Sequence, residues 1–205
     1  MNGVFSKEAG VVRVQDALKT AKDLSIKQGA TFRYSATVVN VDHELGTVTL
    51  DTGEVFKAKN IVLSCGVLTD KFFTKQISFQ HNKQILETLS LKTGSGMPCA
   101  FLMQDHRITN GIMIYGTCEG EKLEQYKIGN EFNNDPHFNL LIVKELFPSL
   151  IKQITGTIPC FYSITENEEF IFEKFGKVVY AFGLNGRGFK HMMYHGKRVQ
   201  HLIND

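Results

Sequence analysis

The sequence predicts a mixed α/β chain, α+β overall, in which an incomplete doubly wound domain is interrupted by a mainly antiparallel sheet. Three observations carry this. Two apolar runs of strand length, Asn60–Ser64 and Lys177–Phe182, run straight into glycine-bearing turns, as buried parallel strands do. Segments with helical apolar spacing stand near both ends of the chain. From about Lys71 to Gly156 the texture changes to short strand-like segments separated by polar connections. We therefore expect a discontinuous first domain, residues 1–70 and 157–205, and an inserted second domain, residues 71–156.

Taken in order, Val12 to Gly29 places Val14, Leu18, Ala21 and Leu24 at helical steps, with Gly29 as a natural stop. Tyr34–Val41 and Gly46–Leu50 are β-branched runs, and Asp51-Thr-Gly-Glu54 turns the chain into a short return strand, Val55-Phe56. Asn60–Ser64 follows as a buried strand ending at Cys65-Gly66. In the inserted part Ile85–Leu91, Ala100–Met103 and Gly111–Tyr115 read as strands. Phe138–Phe147 has helical spacing and stops at Pro148. Val178–Phe182 then opens onto Gly183-Leu-Asn-Gly-Arg-Gly-Phe-Lys190, which feeds a terminal helix.

The chain of 205 residues can bury a real core, and 42% hydrophobic content is that of a globular protein. A formal charge of +2 with scattered basic residues disfavours nucleic acid as a partner. No apolar run reaches membrane-spanning length, and Met1-Asn-Gly-Val-Phe lacks the basic-then-apolar order of a secretory signal. Cys65, Cys99, Cys118 and Cys160 form no zinc spacing and no CxxC pair, so neither disulfides nor a metal is expected, and an intracellular compartment is. His191 and His195 share a helix face, but no acidic partner completes a metal motif, which points to structural roles. No Gly-x-Ser-x-Gly elbow supports a hydrolase.

The glycine-rich turn after Phe182 gives close backbone approach to a flat or anionic group, and Lys190 at the following helix start suits a carboxylate. A surface lysine is the plain alternative. Cys160, after Pro159, reads on its own as a buried, inert cysteine. Lys127 and Glu131 share a face at a four-residue step on a helix or a strand, and form either a solvated ion pair or part of a site.

Cys160-Phe-Tyr-Ser-Ile-Thr-Glu-Asn-Glu-Glu-Phe-Ile-Phe, then Val178-Val-Tyr-Ala-Phe-Gly and Gly186-Arg-Gly-Phe-Lys-His, resemble the C-terminal half of FAD-dependent amine oxidases. These are the sarcosine oxidase and fructosyl amino acid oxidase group of the D-amino acid oxidase superfamily. The opening Gly3-Val-Phe through Gly29-Ala-Thr, and Ala58–Val67, resemble its middle part. The resemblance implies a partial FAD-binding domain and a substrate-binding domain, with FAD held covalently through a thioether at Cys160. It places Tyr162 and Lys190 at the substrate, Lys190 pairing with its carboxylate. Gly183, Asn185, Gly186, Gly188, Phe189 and Lys190 fall beside the flavin ring. Lys127 falls where the family has a lysine that assists oxygen reduction. Glu131 stands where the sarcosine-type branch carries histidine, which looks like the amadoriase branch.

The implied reaction oxidises a secondary amine on an amino acid, such as a fructosyl amino acid, saccharopine or a sarcosine-like compound. Hydride passes to FAD, and O2 reoxidises it to give H2O2. The implied partners are that small amine and O2. The family's N-terminal glycine motif, strand-turn-helix in context, does not precede Val12, and Gly94-Ser-Gly96 lacks that setting. A truncated chain is therefore expected, with a partner chain supplying the missing half; the alternative is a non-catalytic remnant or partner-binding module of the same fold. The C-terminal His201-Leu-Ile-Asn-Asp205 is not a peroxisomal address, which favours the cytoplasm.

Overall fold

The computed structural model describes residues 4–73, 79–92, 94, 99–104, 113–119, 125–130, 141–142, 144–145 and 147–205. The chain divides into two units, one made of Phe32–Asn82 with Phe161–Asp205 and the other of Met1–Thr31 with Lys83–Cys160.

In the first of these units, β1 (Val38–Asp42), β2 (Thr47–Leu50) and β3 (Val55–Lys57) form an antiparallel meander. Its first turn is set locally: the Asp42 carboxylate accepts from the N–H groups of Glu44 and Leu45 at 3.0 and 2.7 Å, an arrangement that Asp makes readily. A second sheet has the order β10-β11-β4, from β4 (Ile61–Leu63), β10 (Ile171–Phe175) and β11 (Val178–Phe182). β11 is parallel to β4 and antiparallel to β10, and all five of its residues are buried. A strand paired on both edges and covered on both faces is apolar throughout, which is why Val178–Phe182 does not alternate.

The core of this unit gathers Val41, Ile61, Leu63, Ile171, Val178, Tyr180 and Phe182. The Phe73 ring meets Tyr180, Phe182 and Phe175 edge-on, with centroids 4.7, 4.8 and 5.8 Å away. Such contacts add about 0.5–1.5 kcal/mol per pair beyond area burial. The two sheets are joined turn to turn, with the Lys177 N–H donating to the His43 carbonyl at 2.8 Å. Gly176 is required there, since a Cβ would lie 2.5 Å from that same carbonyl oxygen. Helix α2 (Met192–Asn204) covers β10 and β11, burying His195 against Phe170 and Phe172.

The other unit contains α1 (Val14–Lys27), β6 (Ala100–Met103), β7 (Ile114–Glu119) and β8 (Gln125–Asn130). The chain passes from one unit to the other within β5 (Phe79–Leu91) and within β9 (Ile151–Thr165). The sheet order is β6-β7-β8-β5-β9, with β6, β7, β8 and β5 antiparallel to their neighbours in that order. Leu89, Leu91, Ile114, Tyr126, Ile128 and Ile142 form its core. Gly116 lets Phe101 and Tyr126 close over β7, because a Cβ would lie 2.5 Å from either ring. Lys127 is on β8; Glu131, its expected neighbour at the four-residue step, lies outside the described residues.

Helix α1 ends as its glycine requires: Gly29 has φ +93°, and the Ala30 N–H reaches the Ser25 carbonyl at 3.0 Å. Yet α1 buries no residue, and Val14, Leu18, Leu24 and Ile26 are all exposed. Of the helix expected over Phe138–Phe147, Leu141, Ile142, Lys144 and Glu145 are described as helical. No helix among the described residues is long and apolar enough to cross a membrane.

Candidate functional site

The buried strand β11 delivers the chain into Gly183 with φ +63°, followed by Asn185 at +49° and Gly186 at +70°. Left-handed backbone at two glycines and an asparagine costs little, whereas β-branched residues would not hold it. Gly183 also has no room for a side chain: a Cβ would sit 2.7 Å from Thr165 Cγ2. Gly188 is close-packed under Leu184, whose Cδ1 would lie 2.9 Å from a Cβ. The turn is closed by the Asn185 N–H on the Ser163 carbonyl at 3.1 Å and the Arg187 N–H on the Leu184 carbonyl at 2.7 Å.

The loop's own side chains tie it to the preceding strand and turn. Asn185 Oδ1 accepts from the Thr165 N–H at 2.9 Å, and Asn185 Nδ2 donates to the Glu168 carbonyl at 2.8 Å. The Asn185 amide is thus engaged at both ends within the chain. Arg187 Nη2 donates to the Glu168 carboxylate at 3.1 Å and its guanidinium lies 5.4 Å over the Phe170 ring. This fixes the loop against the turn after β9.

Tyr162, half-buried on β9, presents its ring to Gly186, where a Cβ would make ordinary contact at 3.6 Å. Its hydroxyl accepts from Asn82 Nδ2 at 2.7 Å. One residue along on each strand, His81 Nδ1 meets Ser163 Oγ at 3.2 Å while His81 Nε2 meets Asp70 Oδ2 at 3.1 Å. Successive residues of a strand face opposite ways, so one side of β5 and β9 carries Asn82 and Tyr162 and the other His81 and Ser163. Nothing in the sequence singled out Asn82, because its tie to Tyr162 spans 80 residues.

Phe189, Lys190 and His191 form a 3-10 turn leading into α2, and Lys190 is exposed. A cation at a helix N-terminus adds to the positive end of the peptide dipoles, an arrangement that favours an anionic group. His195 is 8% exposed, and neither ring nitrogen has a hydrogen-bond partner among the described residues. Burial first, then the His191 charge, pushes its pKa down, with the nearby Gly188 backbone opposing slightly. The Tyr180 hydroxyl lies between His43 Nε2 and the Phe72 carbonyl, and burial pushes its pKa up to about 12.

Tyr162, Gly183, Asn185, Gly186, Gly188, Phe189 and Lys190 thus fall in one unit, and Tyr162 and the loop are brought into contact there. Lys127 and Cys160 belong to the other unit: Lys127 on β8 opposite Thr88 and Thr117, Cys160 half-buried on β9. Burial pushes the Cys65 thiol up. No cluster of three or more metal-ligating side chains occurs among the described residues.

Several solved structures share this fold. The chain is 16% identical to fructosamine oxidase, Amadoriase II, from Aspergillus fumigatus, with a TM-score of 0.70 over 95% of this chain and 54% of that one. Against NikD, described as an unusual amino acid oxidase essential for nikkomycin biosynthesis, identity is 18% and TM-score 0.74, over 91% and 55%. Iminodiacetate oxidase from Chelativorans sp. BNC1 gives 13% and 0.70, over 92% and 54%. The chain therefore spans about half the length of these structures. No curated protein matches it. The family described as DAO, FAD dependent oxidoreductase, matches residues 1–202, nearly the whole chain, and this protein belongs to that family.

Proposed function

We propose that this chain serves the FAD-dependent oxidation of a secondary amine carried on an amino acid, such as a fructosyl amino acid, saccharopine or a sarcosine-like compound. O2 is the acceptor and H2O2 the product. The observation that carries this reading is the braced Gly183–Gly188 loop, whose Gly186 faces the Tyr162 ring and which leads directly into Lys190, in a chain of the FAD dependent oxidoreductase family. Membership supports oxidoreductase chemistry with FAD; the substrate, the covalent bond and the residue roles are our proposal.

The residues present fit the ring end of FAD. Gly186 is exposed and carries no side chain, so a flat group can approach backbone with Tyr162 beside it. When bound, FAD supplies the electron sink that takes up hydride from the amine carbon. In this reading Lys190 pairs with the substrate carboxylate as a charge-assisted contact. Tyr162 lines the pocket, held in one orientation by Asn82. Lys127 favours the negative charge that develops as oxygen is reduced, and Glu131 contributes to substrate choice. Cys160 carries the thioether to the cofactor. Residues 1–70 and 157–205 would be the FAD-binding part and residues 71–156 the substrate part, in a cytoplasmic protein.

The test is direct. The purified chain, loaded with FAD, is precipitated with acid; yellow colour in the pellet is expected from wild type and Cys65→Ala and is expected to vanish in Cys160→Ala. Colour lost equally from both variants would overturn the assignment to Cys160. A chain that takes up no FAD alone would overturn the proposal that these residues bind the cofactor by themselves.

A second reading rests on α1, which buries no residue, and on Val62 of the edge strand β4, which is 40% exposed. It makes the chain a non-catalytic module of the same fold that binds a partner through this exposed sheet edge. No FAD uptake, together with a protein partner that is retained by wild type and lost in Val62→Lys, would be its expected signature.

A further inference from the structure

Cys99 and Cys118 are cross-strand neighbours although 19 residues apart in sequence. β6 and β7 pair antiparallel with Ala100 opposite Thr117, and the same register sets Cys99 opposite Cys118. The Cys118 N–H donates to the Cys99 carbonyl at 2.8 Å, one of the two bonds that such an opposed pair exchanges. Such pairs hold their Cα atoms about 5.5 Å apart, inside the range of about 4.4–6.8 Å that disulfides span. Directly opposed side chains also leave the sheet on the same face. Both thiols are free and half-buried, so a small oxidant reaches them.

Their side chains act on a common neighbour. Burial, and after it the charges of Cys118 and Cys99, raise the pKa of the Tyr126 hydroxyl. Burial, and after it the charge of Cys99, does the same to the Cys118 thiol. The two sulfurs therefore share one environment, on the β6–β7 ladder.

We propose that Cys99 and Cys118 are a redox modification site, closing to a reversible disulfide on exposure to a hydroperoxide-class oxidant. The Cys99 thiolate attacks one peroxide oxygen; the O–O bond breaks, the leaving hydroxide takes a proton, and Cys99 becomes a sulfenic acid. The Cys118 sulfur then forms the S–S bond, the sulfenic hydroxyl leaves as water and takes up the Cys118 thiol proton. Two thiols lose two electrons and two protons, and one hydrogen peroxide becomes two waters. Burial holds the Cys118 thiol protonated, which suits it to the resolving role.

Reversibility follows from the ladder. Opposed residues carry Cβ atoms about 4.5–5.5 Å apart, wider than the about 3.8 Å of a relaxed disulfide, so the bond draws the strands inward and is readily reduced. The oxidant is the class of product released by the reaction proposed above. The site does not depend on that reaction, since peroxide can be added.

The full chain, with and without FAD, is exposed to a small excess of H2O2 under native conditions, alkylated, digested without reduction and mapped by mass spectrometry. The expected result is a Cys99–Cys118 linked peptide as the dominant disulfide, two hydrogens lighter than the thiol pair and returned to two free thiols by dithiothreitol. In Cys118→Ala, Cys99 is expected to be trapped as a dimedone adduct instead. Persistence of both thiols while Cys65 or Cys160 is oxidised would overturn the proposal. So would sulfinic acid accumulating at Cys99 as fast in wild type as in Cys118→Ala. The wild-type map decides the matter even where the variant does not fold, and it is independent of whether FAD binds.

Discussion

Replacing Asn185 separates the two things that hold the Gly183–Gly188 loop, its backbone conformation and its side-chain brace. Asn185 sits at φ +49° and its amide makes two good hydrogen bonds, to the Thr165 N–H and the Glu168 carbonyl. Glycine keeps the conformation and loses the bonds; alanine loses both. At about 0.5–1.5 kcal/mol per bond, Asn185→Gly should destabilise by about 1–3 kcal/mol. Asn185→Ala should add about 1–2 kcal/mol for a Cβ in left-handed backbone. Urea unfolding followed by fluorescence and circular dichroism gives both numbers, and FAD affinity measured on the same samples is expected to fall in the same order. Alanine as stable as glycine would refute the conformational part. Both variants unfolding like wild type would refute the brace, and with it the view that the loop is preorganised for a ligand.

Two further outcomes follow from buried groups. His195 has a lowered pKa, so the unfolded chain binds its proton first as pH falls. Its stabilising effect is therefore complete above the unfolded value of about 6.5 and is lost as pH drops towards the folded one. One such proton contributes a slope of at most about 1.4 kcal/mol per pH unit. Equilibrium unfolding from neutral to mildly acidic pH should show a shallower slope in His195→Leu, and equal slopes would refute the assignment. Tyr180→Phe keeps the ring contacts but strips the hydroxyl from His43 and the Phe72 carbonyl. A loss of about 1–3 kcal/mol is expected. Because its pKa is raised to about 12, Tyr180 also stabilises below the unfolded value and ceases to as pH rises through the folded one. Alkaline difference spectra should therefore lack one late-titrating tyrosine in the variant, and an unchanged spectrum would count against the burial.

Val178–Phe182 was legible as a strand because an all-apolar run of that length has few other homes, and all five residues are buried. The glycines after it were legible as a special turn, but the reason differs from the one their composition suggests. Gly183 is required by Thr165 and by its positive φ, Gly188 lies against the movable end of Leu184, and Gly186 leaves open backbone. The role of Asn185 as a brace was not legible, since its partners, Thr165 at the end of β9 and Glu168 in the turn after it, are 20 and 17 residues upstream. For α1, periodicity announced the helix and Gly29 its end; what would cover the apolar face is not a property of the helix's own sequence. Cys99 and Cys118 look unrelated in the linear chain because spacing motifs capture local turns, and cross-strand register lies outside their reach.

The parallel pairing of Ile61 with Val178 sets an order of events during synthesis. These partners are separated by 117 positions (178 − 61), so β4 leaves the ribosome long before the strand that satisfies it. At about 5–20 residues per second the wait is roughly 6–23 s, during which the segment Lys83–Cys160 emerges and can organise its own hairpins. The β1–β2–β3 meander can also close in that interval, being local. This sheet thus assembles after the meander, with only α2 left to pack on it, and while it waits, Ile61 and Leu63 are apolar surface for a chaperone to shield.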